Sequence, residues 1–338
     1  MRFFRRVDIT SKIQLAILFL KKRVLTVKRI INFLCVSVSY LLRLKRIWGY
    51  PPALMIEPTT YCNLKCPLCP TGNGSLQREK GIMQLSLFKN IIDEFGDKVM
   101  HLTLWGYGEP FMAKGIYDMI KYAKAKHIFV RTSTNGHFFS NREDINKLID
   151  SGLDNLIVAL DGASQETLSK YRIGANFKEI VKSVKSISEI KKEKRVKLPF
   201  VELQFIAMKY NEHEIPLVRR MSKEIGVNKL TIKTVGRNTK EDFITEDDRF
   251  KRQVNKNRFC SRLWFSSMIN WDGTVMPCCY DFHGKYTFGK LDYPKGQTFE
   301  NIWNNENYIT FRERILKSKR SIEMCRLCHG SFASLNVE

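Results

Sequence analysis

From position 49 onward the chain alternates short apolar, β-like runs with longer runs of helical periodicity, and this alternation restricts its fold more than any other feature. The strand-like runs fall at 54–57, 100–104, 129–133, 156–160, 201–207 and 229–234, with helical runs at 87–95, 116–126, 142–150, 177–192 and 212–225. Strand–helix units in this order pair in parallel through right-handed crossovers. The expectation is an α/β fold, a partial (β/α)6 TIM-like barrel, whose ligands gather at the carboxyl ends of the strands.

Chemically capable residues fall at those ends. The first strand runs into Cys62-Asn-Leu-Lys-Cys66-Pro-Leu-Cys69. Three thiols leave a metal site one ligand short, because structural zinc sites and protein-held iron-sulfur clusters normally take four. A zinc knuckle with a distant fourth ligand is the alternative. The second strand is followed by Gly106-Tyr107-Gly108-Glu109-Pro110, where glycine allows close backbone approach and the carboxylate can accept from an ammonium group. The third ends at Ser133-Thr134-Asn135-Gly136, with short donors and acceptors suited to ribose hydroxyls, or an Asn-Gly turn. After the fourth come Asp161, which orients substrate or caps the next helix, and Tyr171-Arg172. Gln204 interrupts the fifth run and faces the barrel interior, and Asn211 follows it.

The C-x3-C-x2-C spacing, its place after a first strand and the glycine-glutamate element resemble the radical S-adenosylmethionine (SAM) enzymes. That resemblance implies a 4Fe-4S cluster on Cys62, Cys66 and Cys69, with SAM chelating the open iron. It implies that Gly108 and Glu109 meet the SAM amino group, Ser133 and Asn135 the ribose, and Arg172 the carboxylate. The family's GGEP element departs here in having Tyr107 at its second position.

A second cysteine group follows a polar stretch at 240–257: Cys260, Cys278 and the pair Cys325-Arg-Leu-Cys328. Trp271-Asp272-Gly273 is a hairpin signal that brings Cys260 and Cys278 together. Four thiols close a site for zinc or for 4Fe-4S. Gly273-x4-Cys278, Phe299-Glu-Asn-Ile-Trp303 and the final C-x2-C resemble the SPASM/twitch module of radical SAM enzymes, which implies one protein-ligated auxiliary cluster in a small α+β module. Cys279 and His329 are alternate ligands.

Lysine plus arginine outnumber aspartate plus glutamate 57 to 34, a net charge of +23 that suits anionic partners. Twelve of these cations and a single acid, Asp8, lie in residues 1–50. The longest uncharged runs there, 8 and 13 residues, are too short to span a bilayer. Drawn as a helix, 13–46 gathers Gln14, Lys21, Lys28, Arg29, Asn32, Ser39, Arg43 and Arg46 into one polar stripe. The pattern predicts an N-terminal amphipathic helix on an anionic membrane surface, or one packed on the protein itself. Nine cysteines in tight groups indicate metal binding in a reducing compartment rather than disulfides.

The expected organisation is a basic membrane-surface arm at 1–48, a radical SAM core at 49–239 and an auxiliary cluster module at 240–338. The expected protein is cytoplasmic and peripheral on the membrane face. The expected activity is reductive SAM cleavage followed by hydrogen abstraction and two-electron oxidation of a sugar- or lipid-linked substrate. The alternatives are a SPASM-type peptide maturase and a non-catalytic zinc protein holding nucleic acid or lipid. A flavodoxin or ferredoxin is the expected electron donor, and no specific nucleic acid is expected.

Overall fold

The computed structural model describes residues 24–235, 243–250, 260–326 and 328. Residues 13–23 of the expected arm helix, most of the polar stretch and His329 lie outside them.

Six parallel strands form the frame: β1 (Ala53–Ile56), β2 (His101–Thr103), β3 (Phe129–Thr134), β4 (Asn155–Ala159), β5 (Phe200–Ala207) and β6 (Lys229–Thr234). Each pairs with the next in sequence, as helical crossovers require. β4 is buried at all five positions, as a central strand covered on both faces must be. On β5, Leu203 and Phe205 join the main hydrophobic core, so Glu202 and Gln204 turn to the opposite, interior face.

The crossover helices are α2 (Leu85–Phe95), α3 (Ile116–Ala125), α4 (Arg142–Asp150), α5 (Gln165–Tyr171), α6 (Phe177–Glu193) and α7 (Ile215–Glu224), numbered after the N-terminal α1 (Val27–Leu41). Phe88, Ile91, Ile92 and Phe95 are buried on α2, at the spacing of one helix face. α5 was not among the expected helical runs; Ser164 and Thr167 start it with a reciprocal capping box.

The C-terminal region continues the same sheet. After the short helix α8 (Arg262–Phe265), β7 (Ser266–Ile269) pairs in parallel with β1, and β8 (Thr274–Met276) and β9 (Gly289–Lys290) add antiparallel strands. The result is one open nine-stranded sheet in the order β6-β5-β4-β3-β2-β1-β7-β8-β9. The expected hairpin is present, with Gly273 at φ +87° in its turn. Helices α9 (Phe299–Trp303), α10 (Glu306–Ser318) and α11 (Glu323–Arg326) complete the region.

α1 packs on the domain, the alternative to a membrane-surface helix, and does so through part of its polar stripe, while Lys28, Arg43 and Arg46 stay exposed. Arg29, Asn32 and Ser39 are buried against the domain. The Arg29 guanidinium donates to four carbonyls, of Val24, His127, Gly96 and Lys126, at 2.7–2.9 Å. Gly96 and Lys126 end α2 and α3, where unpaired carbonyls and the helix dipole favour a cation. Among the described residues no helix is long and apolar enough to cross a membrane.

Candidate active site

Cys62, Cys66 and Cys69 lie on the loop after β1, all as free thiols, with Cys66 buried and the others half-buried. The loop is held by Cys69 N–H donating to the Cys66 carbonyl at 3.1 Å and Lys65 N–H to the Ile173 carbonyl at 2.9 Å, next to Arg172. Burial pushes the Cys66 thiol up to about 11, Arg172 draws it down, and the neighbouring Cys69 and Cys62 push it up further. Thiols this desolvated become ligands when a metal charge holds them deprotonated. The donor set therefore fits an iron-sulfur cluster. Among the described residues no three such side chains are drawn round a single ion position; in a cubane each thiolate takes a different iron.

The loop after β2 presses against this one. A Cβ on Gly108 would overlap the Thr59 carbonyl and one on Gly106 the Glu57 carboxylate, so both positions need glycine. Glu109 is 3 % exposed. Its N–H donates to the Tyr61 carbonyl at 2.8 Å. Its carboxylate accepts from Phe111 N–H (3.2 Å), Thr134 Oγ1 (2.9 Å) and Asn135 N–H (2.8 Å). Burial lifts the carboxyl to about 7 even though these donors pull it down. Two carboxylate oxygens offer about four acceptor directions, so capacity for a ligand ammonium remains.

Asn135 anchors this corner, donating Nδ2–H to Asn63 Oδ1 on the cysteine loop at 2.7 Å. Ser133 is half-buried on β3, and its hydroxyl bonds to no described residue. Across the site, Arg172 ends α5 and its Nε donates to Asp161 Oδ2 at 2.6 Å. Burial opposes the Arg172 charge, but Asp161 and Cys66 raise its pKa and keep it cationic. Asp161 neither caps α5, which Ser164 does, nor faces a substrate unaided: its other oxygen accepts from Ile206 N–H at 2.7 Å. Asn211 is a bracket, bonding the carbonyls of Asp161 (2.9 Å) and Ile206 (3.0 Å).

The interior face of the sheet carries further charged residues, within the strands rather than on the loops that follow them. Arg131 donates to Glu202 at 2.8 Å and lies 5.8 Å from the Trp105 ring, and Thr231 donates to Glu202 at 2.6 Å. Lys233 on β6 is lowered to about 8 by burial and by Arg131. A charged residue alternating with apolar ones inside a strand of a doubly covered sheet was the available signal.

The second thiol group meets the first site through two contacts between remote loops. Tyr107, the departure from the family element, donates its hydroxyl to the Cys279 carbonyl. Arg78 holds Glu57 with both terminal nitrogens (2.9 and 3.0 Å) and donates Nε–H to the Phe282 carbonyl at 2.8 Å. Cys278 is pushed well up by burial and by Cys279, and Arg262 and Cys260 also act on it. Cys260 is raised by burial, with Cys328 among its charged neighbours. Cys325 and Cys328 are buried and joined by a backbone hydrogen bond of 3.2 Å. The four thiols expected to form one site thus share one region, with Cys279 beside Arg262 (Nη1 to Sγ 3.7 Å).

Comparison with known proteins agrees with this construction. Residues 56–240 match the Radical SAM superfamily and residues 260–329 an iron-sulfur cluster-binding domain, SPASM. The chain is 24% identical over 301 residues to the tungsten-containing aldehyde ferredoxin oxidoreductase cofactor-modifying protein of Pyrococcus furiosus, covering 77% of this chain and 82% of that one. It is 30% identical over 138 residues to the mycofactocin maturase MftC of Mycobacterium ulcerans, covering 41% of this chain but only 37% of the relative. Among solved structures, SuiB of Streptococcus suis bound to S-adenosylmethionine superposes with a TM-score of 0.64 at 14% identity, over 87% of this chain and 76% of that chain. The two matched domains imply two 4Fe-4S clusters and SAM as cofactors. The chain belongs to the radical SAM superfamily, as an iron-sulfur enzyme with a C-terminal SPASM domain.

Proposed function

We propose that this radical SAM enzyme oxidises or crosslinks a peptide or protein-held substrate, with the four-cysteine site taking up an electron from it. Relatives named as a mycofactocin maturase and a PqqA peptide cyclase support this substrate class over the sugar- or lipid-linked one that the basic arm suggested. The observation that carries the electron uptake is the direct contact of the Gly106–Glu109 loop with the Cys278–Cys279 segment through Tyr107, which brings the two cysteine regions together.

When bound, the SAM-ligated cluster supplies reductive cleavage of SAM and a 5′-deoxyadenosyl radical that takes hydrogen from substrate. The residues around it position SAM. Glu109 accepts from its ammonium group beside Gly108, Arg172 offers Nη1 and Nη2 to its carboxylate, and Ser133 and Asn135 meet its ribose. Arg131 and Lys233 provide cationic capacity inside the barrel for a substrate carboxylate or backbone oxygen. An acidic flavodoxin or ferredoxin suits the net positive charge as electron donor.

The test is anaerobic turnover of the reconstituted enzyme with SAM, a reductant and deuterated cell extract, reading deuterium in 5′-deoxyadenosine. Transfer from the macromolecular fraction, lost after protease digestion, is expected. Transfer that survives digestion and resides in the small-molecule or lipid fraction would sink the peptide reading.

A further inference from the structure

Ten of the fifteen exposed large hydrophobic side chains among the described residues lie between positions 25 and 48. They do not form a scattered set. Val27, Ile31, Leu34, Val38 and Leu41 follow one another at spacings of four and three, and are 40–75 % exposed. That spacing keeps them on one face of α1. Ile30, Phe33 and Leu42 widen the face, and Trp48 stands 54 % exposed beyond the helix. An ordinary surface helix turns such a stripe inward. Here the inward positions hold Arg29, Asn32 and Ser39 beside one apolar residue, Val36, and each of the three polar side chains is bound to backbone partners that fix the helix in this orientation. Arg29 spans the ends of α2 and α3, Asn32 exchanges two hydrogen bonds with the Tyr50 backbone (2.8 and 2.9 Å), and Ser39 accepts from Trp48 N–H (2.9 Å). The helix cannot roll to bury its apolar face without breaking these buried contacts.

We infer that the outward face of α1 is a docking surface for a phospholipid bilayer with anionic head groups, on which the helix lies flat. Fifteen residues make a helix of only about 22 Å, short of a bilayer core, so the face rests in the interface rather than spanning it. Charge decides among the possible occupants. Residues 1–50 carry twelve cations and one acid, and positions 24–50 carry no acid. Lys28, Arg43, Lys45 and Arg46 are exposed around the apolar face, and although Lys28 pairs with Asp97 at 3.2 Å and Lys45 with Glu313 at 3.7 Å, these cations outnumber the two acids. A second copy seated on this stripe, or residues 1–23 folded back over it, would bring more cations to an already cationic rim. An anionic membrane complements both the rim and the stripe, and combines the apolar area and basic cluster that stable surface binding needs. Trp48 has the amphipathic ring favoured at the head-group level.

The test uses the full chain, purified anaerobically with its clusters, in flotation with vesicles of phosphatidylcholine alone and of equimolar phosphatidylcholine and phosphatidylglycerol. The wild-type chain is expected to float with the anionic vesicles and to be released by high salt. Ile31→Glu with Leu34→Glu should weaken this binding at least about tenfold while leaving the thermal melt and iron content unchanged, since both side chains project from the surface. Equal flotation on phosphatidylcholine alone, or undiminished binding of the double variant, would overturn the inference. So would a dimer in sedimentation velocity that the double variant dissolves, which assigns the face to a second copy. Binding seen only after removal of residues 1–23 would assign it to the chain's own N-terminus.

Discussion

Arg172 reaches Asp161 through Nε alone, at 2.6 Å, and its terminal nitrogens donate to no described residue. The ion pair aims the guanidinium and leaves its forked edge for a second carboxylate. Lysine has no such fork. Arg172→Lys should therefore weaken SAM binding at least about tenfold, roughly 1.4 kcal/mol, with iron content unchanged. Equilibrium dialysis under anaerobic conditions measures it; unaltered affinity would remove Arg172 from the SAM site.

Gly108 is enclosed by backbone on the cysteine-loop side, where a Cβ would strike the carbonyls of Thr59 and Tyr61. Neither is the end of a flexible side chain. Gly108→Ala should cost about 2 to 4 kcal/mol through overpacking and lower the melting temperature by several degrees. A melt coinciding with wild type would show that the two loops have slack between them.

The Arg78–Glu57 pair is 10 % and 0 % exposed at its two side chains. Removing the guanidinium strands a buried carboxylate that also accepts from Tyr107 N–H at 3.0 Å. Arg78→Ala should destabilise by about 3 to 5 kcal/mol, and Arg78→Met with Glu57→Leu should recover much of it, because the penalty comes from the uncompensated charge. Urea unfolding of wild type and the two variants reads this. Equal losses in the single and double variants would contradict it.

The four protein thiols proposed for the second site and the three for the first predict the metal content. Reconstituted wild type should hold about eight irons per chain and Cys278→Ala about four, since a cubane missing a ligand at a closed site is lost. SAM binding should survive in the variant. Retention of all the iron would move the ligand role to the neighbouring Cys279.

The order of strands was legible because each is an apolar run too short for a helix. Helix α4 falls at the expected bounds, 142–150. α5 was missed because its seven residues offer few apolar positions to reveal a period; its only local signal was Ser164 followed by Thr167. The cysteine loop was legible because its ligands lie within eight residues of one another. Tyr107–Cys279 and Arg78–Glu57–Phe282 were not, because they join segments up to 204 residues apart and no periodicity links them. The side on which α1 packs was not legible for a related reason. A polar stripe ordinarily faces water, and the carbonyls that draw Arg29 inward belong to the ends of two other helices.

His101 at the start of β2 supplies a pH dependence remote from the thiols. Burial, with the nearby Arg131 charge, lowers its pKa from 6.5 to about 4. Its ring stacks on Phe129 at 5.4 Å. Between these two values the unfolded chain binds a proton that the folded chain refuses, so the unfolded state binds more protons and stability falls as pH falls. The contribution is complete above 6.5 and is lost progressively toward 4. Each pKa unit corresponds to about 1.4 kcal/mol, which puts the whole window on the order of 3 to 4 kcal/mol. His101→Phe keeps the stacking and removes the titration. Urea midpoints of wild type and variant should differ by a constant amount at pH 7 to 8, and the variant should gain relative to wild type as the pH is lowered to 4.5. Parallel pH profiles would mean that the folded protein protonates His101 as readily as the unfolded chain does.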